Sequence, residues 1–338
     1  MKKIASIIIY ILILVEKGKG DDASNSTLEA YYLEEQCPPS NRILPCTCNG
    51  PQTFLLFNCD KIIEIQSIIS ATRSIPQFIP FGKFSLTNSR IQSLEFLLFG
   101  QFEYIYMRKN TLKKIGKEFF DSSRDSLKRI EIIHNDLEKF PFKELSAFSK
   151  LEFINLKYNS FKSIPDEAFG KTFNNKIRKI DLSFNKINHI GTNAFKFLTN
   201  LESLDLQYNK LTVLNNLAFS AIEGNSKFQL NLNNNKIMYI AEGAFQNQVF
   251  KSLNLTDNKL TTLQEKAFRE VLKRMAERRT GTISVGKNRF HCTCEKALWV
   301  VRLPIFYKLP ILEFECSDKD KKSLQELTQH DIGCSSSS

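Results

Sequence analysis

Residues 201–211 read LESLDLQYNKL, which places Leu201, Leu204, Leu206 and Leu211 in a frame L-x-x-L-x-L-x-x-N-x-L with Asn209 as its polar anchor. The frame returns at Phe250–Leu260, Ile177–Ile187, Leu151–Phe161, Leu127–Leu137 and Phe102–Leu112. Weaker copies stand at Phe81–Ile91, where Ser89 replaces Asn, at Lys227–Ile237 and at Thr280–Phe290. The anchors fall at 89, 110, 135, 159, 185, 209, 235, 258 and 288, with steps of 21 to 26 residues and a last step of 30. Ten residues after the anchor comes a second column: Phe99, Phe120, Leu145, Phe169, Phe195, Phe219, Phe245 and Phe268. Two registers that stay in step over eight units make this an internal repeat, with its length variation after the Phe.

Apolar residues two apart belong to a short strand, because successive side chains on a strand face opposite ways. Units stacked in parallel pair those strands and bury Leu, Ile and Phe in one continuous core. The anchor amide can both donate and accept, so the asparagine column is expected to form a hydrogen-bonded ladder where the chain leaves each strand. The Phe column is expected to fill the space behind the sheet. A stack of this kind exposes half its core at each end unless the ends are capped.

Eight cysteines lie where caps are needed: Cys37, Cys46, Cys48 and Cys59 before the repeats, and Cys292, Cys294, Cys316 and Cys334 at their end, with none in the 232 residues between. Two sets of four in an exported chain read as two disulfide modules. Zinc is the rival reading, but its sites favour Cys-x2-Cys or longer spacing and need thiolates that an oxidising compartment removes. Export is expected from residues 1–20, where Lys2 and Lys3 precede an apolar run from Ile4 to Val15 and a small, polar stretch ends near Gly20. Twelve apolar residues span about 18 Å as helix, short of the roughly 30 Å bilayer core. No later segment reaches transmembrane length, and no lipid-anchor signal follows Cys334.

The combination resembles extracellular leucine-rich-repeat proteins: Cys37-x8-Cys46-Thr-Cys48-x10-Cys59 looks like their N-terminal cap, and Asn288-Arg-Phe290-His-Cys292-Thr-Cys294 with Trp299, Cys316 and Cys334 looks like their C-terminal cap. The resemblance implies an α/β solenoid, a horseshoe of about nine repeats with a concave parallel β-sheet and disulfide-bonded caps at both ends. It implies the pairs Cys37–Cys48, Cys46–Cys59, Cys292–Cys316 and Cys294–Cys334. Within that family, Cys37-Pro38 … Leu44-Pro45-Cys46-Thr-Cys48 looks like a group of secreted arthropod proteins labelled after the non-catalytic leucine-rich subunit of Oplophorus-luciferin 2-monooxygenase. That likeness implies secretion and a scaffold or partner role, not light emission. The expected organisation is a signal peptide over 1–20, a polar linker over 21–36, an N-terminal cap over 37–80, repeats over 81–287, a C-terminal cap over 288–334 and a tail over 335–338.

Composition excludes disorder and collagen-like structure, with 42% hydrophobic and 25% charged residues. The net charge is +11; the first twenty residues carry four lysines against Glu16, which leaves +8 on residues 21–338. Such a balance favours acidic partners without implying nucleic acid. The four histidines, His134, His189, His291 and His330, form no catalytic or metal-binding motif, and no phosphate-binding glycine loop occurs. No enzyme activity, catalytic residue, metal or cofactor is expected; the chain reads as a secreted protein-binding scaffold, or alternatively as a non-catalytic stabilising subunit of a secreted enzyme.

The frame also predicts the binding face, since residues between core positions point to the concave side. On repeats two to five these are Tyr104, Tyr106, Arg108, Arg129, Phe153, Lys157, Arg178 and Lys179. On repeats one to five the face carries eight basic against four acidic residues, net +4, whereas repeats six to nine carry net −1 and mostly small neutral side chains. Tyr and Arg are the side chains that most often dominate binding energy, so an extracellular protein with an acidic surface is expected to dock there. Sequons at Asn25 and Asn254 are candidate glycosylation sites; Asn254 falls on the concave side, either as a plain polar strand residue or as a sugar-bearing one. The basic segment Glu265–Arg279 reads either as a solvated helix, supported by Glu270–Arg274 and Lys273–Glu277 at i,i+4, or as a site for a sulfated glycosaminoglycan.

Overall fold

The computed structural model of the chain describes residues 37–51, 54–75, 80–171, 176–221, 225–318 and 322–334. The expected signal peptide, the linker with Asn25 and the tail lie outside the described residues. A single twelve-stranded sheet runs the length of the molecule. Its strands are β1 (Thr47–Asn49), β2 (Leu56–Asp60), β3 (Pro80–Thr87), β4 (Gln101–Arg108), β5 (Arg129–Ile133) and β6 (Phe153–Asn155). They continue as β7 (Lys179–Asp181), β8 (Ser203–Asp205), β9 (Gln229–Asn231), β10 (Ser252–Asn254), β11 (Thr282–Ser284) and β12 (Ile311–Leu312). The hairpin β1–β2 is antiparallel, and every later pairing is parallel in strict chain order. One strand per repeat, each beside the next, is what the repeated L-x-L frame requires.

Behind the sheet lies one apolar core that extends from Ile43 in the first cap to Ile332 in the last. From Phe120 to Phe268 the second column is buried, and Phe195, Phe219 and Phe245 stack in succession with centroids 6.0 and 6.3 Å apart. Phe99 departs from the expected column: it is half-buried beneath the Arg73 guanidinium, and the neighbouring Leu98 takes the core position. The first repeat packs there against the cap helix α1 (Ile65–Arg73) instead of another repeat, so the space behind its strand differs.

Every anchor joins two repeats. Asn209 Nδ2 donates to the carbonyls of Leu182, one repeat back, and of Leu206, both at 3.0 Å, while its Oδ1 accepts from the Ile187 amide at 2.9 Å. Asn185, Asn235, Asn258 and Asn288 repeat the pattern, and Ser89 substitutes at the first anchor by accepting from the Ile62 amide. The residue before each anchor turns left-handed, from Asn88 through His134, Tyr158, Phe184 and Tyr208 to Lys287, with φ between 49° and 56°. Non-glycine residues resist this conformation, so nine successive instances show the ladder holding the turn.

Strand length changes along the molecule for a reason visible in the side chains. In β6 to β10 the third residue is Asn155, Asp181, Asp205, Asn231 or Asn254, and each accepts through Oδ1 from the amide two residues on, at 2.9 to 3.2 Å. That bond takes the amide out of the strand ladder and ends the strand after three residues. Ser85, Tyr106 and Glu131 hold the same row in β3 to β5, where pairing continues to Thr87, Arg108 and Ile133.

Both caps are cross-linked: Cys37–Cys48 and Cys46–Cys59 at one end, Cys292–Cys316 and Cys294–Cys334 at the other. In the C-terminal cap, Phe290 stacks on Phe314 at 4.4 Å, and the Trp299 indole donates to the Leu263 carbonyl at 2.8 Å. The basic segment forms helix α2 (Glu265–Glu277), which buries Ala267, Phe268, Val271, Leu272 and Met275 behind the last repeats. Its ion pair runs Glu265–Arg269, one turn before the expected Glu270–Arg274, and Arg274 instead reaches Asn247 Oδ1 at 3.4 Å. No helix among the described residues is long and apolar enough to cross a membrane.

Candidate protein-interaction face

Parallel register aligns Lys83, Tyr104, Arg129, Phe153 and Lys179 in one row across β3 to β7, with Ser85, Tyr106, Glu131, Asn155 and Asp181 in the next. The first row interleaves cations and rings. Lys83 Nζ stands 5.1 Å from the Tyr104 centroid and 4.3 Å from that of Tyr106, and the two tyrosines meet edge to face at 6.0 Å. The Arg129 guanidinium lies 5.5 Å from Tyr104 and 4.1 Å from Phe153. Its Nε pairs with the buried carboxylate of Glu131. A cation over an aromatic face contributes about 0.5–2 kcal/mol as it is desolvated. The rings and cations therefore hold one another in place before any partner arrives.

Glu131 is the common counter-ion. Burial, then its charge, and then its hydrogen bond with the phenol push the Tyr104 hydroxyl well above the usual tyrosine range. Burial pulls the Lys83 ammonium down, and Glu131 opposes that pull.

Ion pairs engage several of the charges on the face. Lys128 meets Glu103 at 2.9 Å, Arg129 meets Glu131, and Arg178, at the sheet margin, meets Glu202 at 3.8 Å. Among the described residues Arg108, Lys157 and Lys179 have no ion-pair partner. Arg108 and Lys179 are exposed and Lys157 half-buried. These three are cations of the face outside any ion pair, and Tyr104, Tyr106 and Phe153 give it apolar area.

Sequence reasoning missed what borders it. The left-handed residues His134, Tyr158, Phe184 and Tyr208 stack face to face along the rim, with centroids 4.3, 4.4 and 4.4 Å apart. The signal was present as the residue before each anchor, but the frame treats that position as variable. Burial and the charges of Arg108, Lys109 and Lys157 pull the His134 imidazole below its ordinary range. It is neutral at physiological pH and continues the aromatic stack.

Toward the other end the face turns acidic and neutral. Asp205 is held above the usual carboxylate range by burial and by Asp181 beside it, despite accepting from Gln207. A carboxyl raised in the folded state contributes most at low pH, and its contribution falls as the pH rises through its folded value. Asp205→Asn is therefore expected to raise the urea midpoint at pH 7, with the advantage shrinking toward about pH 4. Asn231 and Asn254 show that an amide fits this row and makes the same turn bond. An advantage as large at pH 4 as at pH 7 would contradict the assignment.

Nothing in this face has the make-up of a metal centre, and no group of three or more His, Cys, Asp or Glu that could hold a metal occurs among the described residues. Comparison with known families matches residues 82–196 to the BspA type leucine rich repeat region and residues 175–224 to the leucine rich repeat. The chain is a leucine-rich-repeat protein. Its repeats stand between disulfide-bonded caps, and the family description covers its central portion. Over 139 residues this leucine-rich-repeat protein is 31% identical to the Oplophorus-luciferin 2-monooxygenase non-catalytic subunit of Oplophorus gracilirostris, a distant relative. The match covers 38% of this chain and spans only 37% of that relative's length.

Among solved structures, the TLR13–ssRNA13 complex aligns over 70% of the chain and 32% of its own, with TM-score 0.54 and 21% identity. A chain of the octameric complex of Latrophilin 3, Unc5D and FLRT2 (LRR) aligns over 88% of this chain and 100% of its own, with TM-score 0.53 and 16% identity. At these identities the likeness is one of fold: a leucine-rich-repeat solenoid with a long parallel sheet.

Proposed function

We propose that this leucine-rich-repeat protein is a non-catalytic, secreted scaffold that binds an acidic surface of an extracellular protein on β3 to β7. The observation that carries the reading is the pre-assembled row Lys83–Tyr104–Arg129–Phe153, bordered by the cations Arg108, Lys157 and Lys179 outside any ion pair. Four disulfides support an oxidising compartment. A sugar on Asn254 would confine contact to the N-terminal half of the face. A sulfated glycosaminoglycan on α2 is the weaker reading, because Lys266 and Arg269 are already paired with Glu242 and Glu265.

The test is affinity capture from native extracellular fluid with the protein as bait. Tyr106→Ala with Lys179→Ala is expected to lose the captured partner at least tenfold, whereas Ser252→Ala with Thr256→Ala retains it. Arg129 is best left intact, since its removal would strand Glu131 in the buried row. Equal loss in both pairs would overturn the placement. The 31% match to a non-catalytic subunit favours a second reading, a stabilising partner of a secreted enzyme. A stoichiometric enzyme in the captured material would support it.

A further inference from the structure

On the last cap the usual polarity of a surface turn is reversed. The chain after Pro304 makes a one-turn helix, Ile305–Lys308, which Leu309 continues in helical conformation. At about 100° per residue, Ile305, Phe306 and Leu309 share one side of this turn, and Tyr307 and Lys308 point the other way. The three apolar side chains are the ones outside, 55, 51 and 59% exposed, and Leu312 of β12 is 39% exposed. Lys308 is only 7% exposed, and burial pulls its ammonium below the ordinary lysine range. Single exposed apolar residues need no explanation, but a cluster of them marks an interaction site. We propose that this turn docks on an anionic lipid bilayer, with Ile305, Phe306 and Leu309 entering the headgroup region and the neighbouring cations meeting its phosphates.

The charge around the turn selects that occupant. Between the turn and the C-terminal end of α2 lies an open groove of about 460 Å³, with Met275, Ala276, Arg279, Phe306 and Leu309 in its lining. Among the described residues Arg279 is the one charged side chain lining this groove, and it has no ion-pair partner. The two segments that meet there, 273–281 and 296–312, hold seven basic residues against Glu277 alone, and 296–312 has no acidic residue. Anionic headgroups attract such a cluster, and a short amphipathic segment buries its apolar side about 5–10 Å deep at the headgroup boundary. Neither signal holds a protein firmly alone; together they give reversible attachment. A protein partner would need a cleft shaped to three projecting side chains, whereas a bilayer accepts them as they stand. The attachment is peripheral, since no helix among the described residues is long and apolar enough to cross a membrane. The turn shares no residue with the concave face, so either reading can fail without the other.

The probe is cosedimentation of the full chain with vesicles of phosphatidylcholine containing about 30% phosphatidylserine, against vesicles of phosphatidylcholine alone. The chain is expected to partition at least tenfold more strongly onto the anionic vesicles, and about 0.5 M salt to reduce that binding. Phe306→Ser with Leu309→Ser is expected to lose it at least tenfold, and Arg279→Gln with Arg302→Gln at least fivefold. The charge control Lys113→Gln with Lys117→Gln, both exposed in the second repeat, is expected to change it less than twofold. Phe306→Trp reads insertion directly and keeps an apolar side chain at the site. Its emission is expected to shift to the blue on anionic vesicles, beyond any change in the unsubstituted chain, whose single tryptophan is Trp299. Equal binding to the two kinds of vesicle, or an unshifted emission, overturns the proposal. Binding that survives the serine substitutions, or falls equally in the charge control, makes the chain a diffuse polyanion binder and overturns it as well. Absence of vesicle binding also overturns it; a dimer that the serine substitutions dissolve would then assign the turn to a second copy.

Discussion

Cys292→Ser with Cys316→Ser is expected to lower stability by about 2–5 kcal/mol and to reduce the yield of folded protein sharply. Both sulfurs are buried, and their bond ties the last repeat to the stretch after β12, where Phe290 stacks on Phe314. In a stack of repeats each unit is held by its neighbours, so an opened cap exposes the core of the last repeat first. Hydrogen exchange should therefore lose protection in β11 and β12 before it does in β5 to β8. Unchanged melting and yield, or uniform loss of protection, would show that the cap does not close the core.

Asn209→Ala is expected to cost about 3 kcal/mol, the second large effect. It removes partners from the Leu182 and Leu206 carbonyls and from the Ile187 amide, all in a region where the asparagine is 6% exposed. An unsatisfied buried backbone group costs about 1–3 kcal/mol, and partial relaxation keeps the total below the sum. Asn231→Ala is the control: the same residue type on the concave face makes one turn bond and one side-chain bond to Asp205 and satisfies fewer buried backbone groups, so about 1 kcal/mol is expected. Similar urea midpoints for the two variants would mean that the ladder is not what couples adjacent repeats.

The strand frame, the asparagine ladder and the parallel sheet were legible in the sequence because each rests on a position repeated in every unit. The face of each strand was legible too, since Tyr104, Tyr106 and Arg108 alternate with Ile105 and Met107. What escaped lies between units. The pairing of Arg129 with Glu131, and of Arg178 with Glu202, depends on rotamers and on cross-strand distance, neither of which a period records. Counting charges therefore gave the net surplus but not which cations are already paired. In the Asn/Asp row of β6 to β10, Asp181 and Asp205 were read as surface charges and Asn231 and Asn254 as small polar side chains, although the regular place of the row in the frame was a turn signal. Phe99 was placed in the core by its register, but its repeat has a helical cap for a neighbour, and the register assumes another repeat.

The two strand lengths give the solenoid unequal stiffness. Between β3 and β4 seven residue pairs lie in register and between β4 and β5 five, whereas from β6 to β11 each junction has three. Bending the horseshoe in its plane shears these junctions, and the narrow ones yield first. The molecule should behave as a spring with a reinforced end, its curvature opening and closing in the C-terminal two-thirds. The row of rings and cations sits mostly on the reinforced end, so a load applied at the far cap would be absorbed before it reached a partner held there.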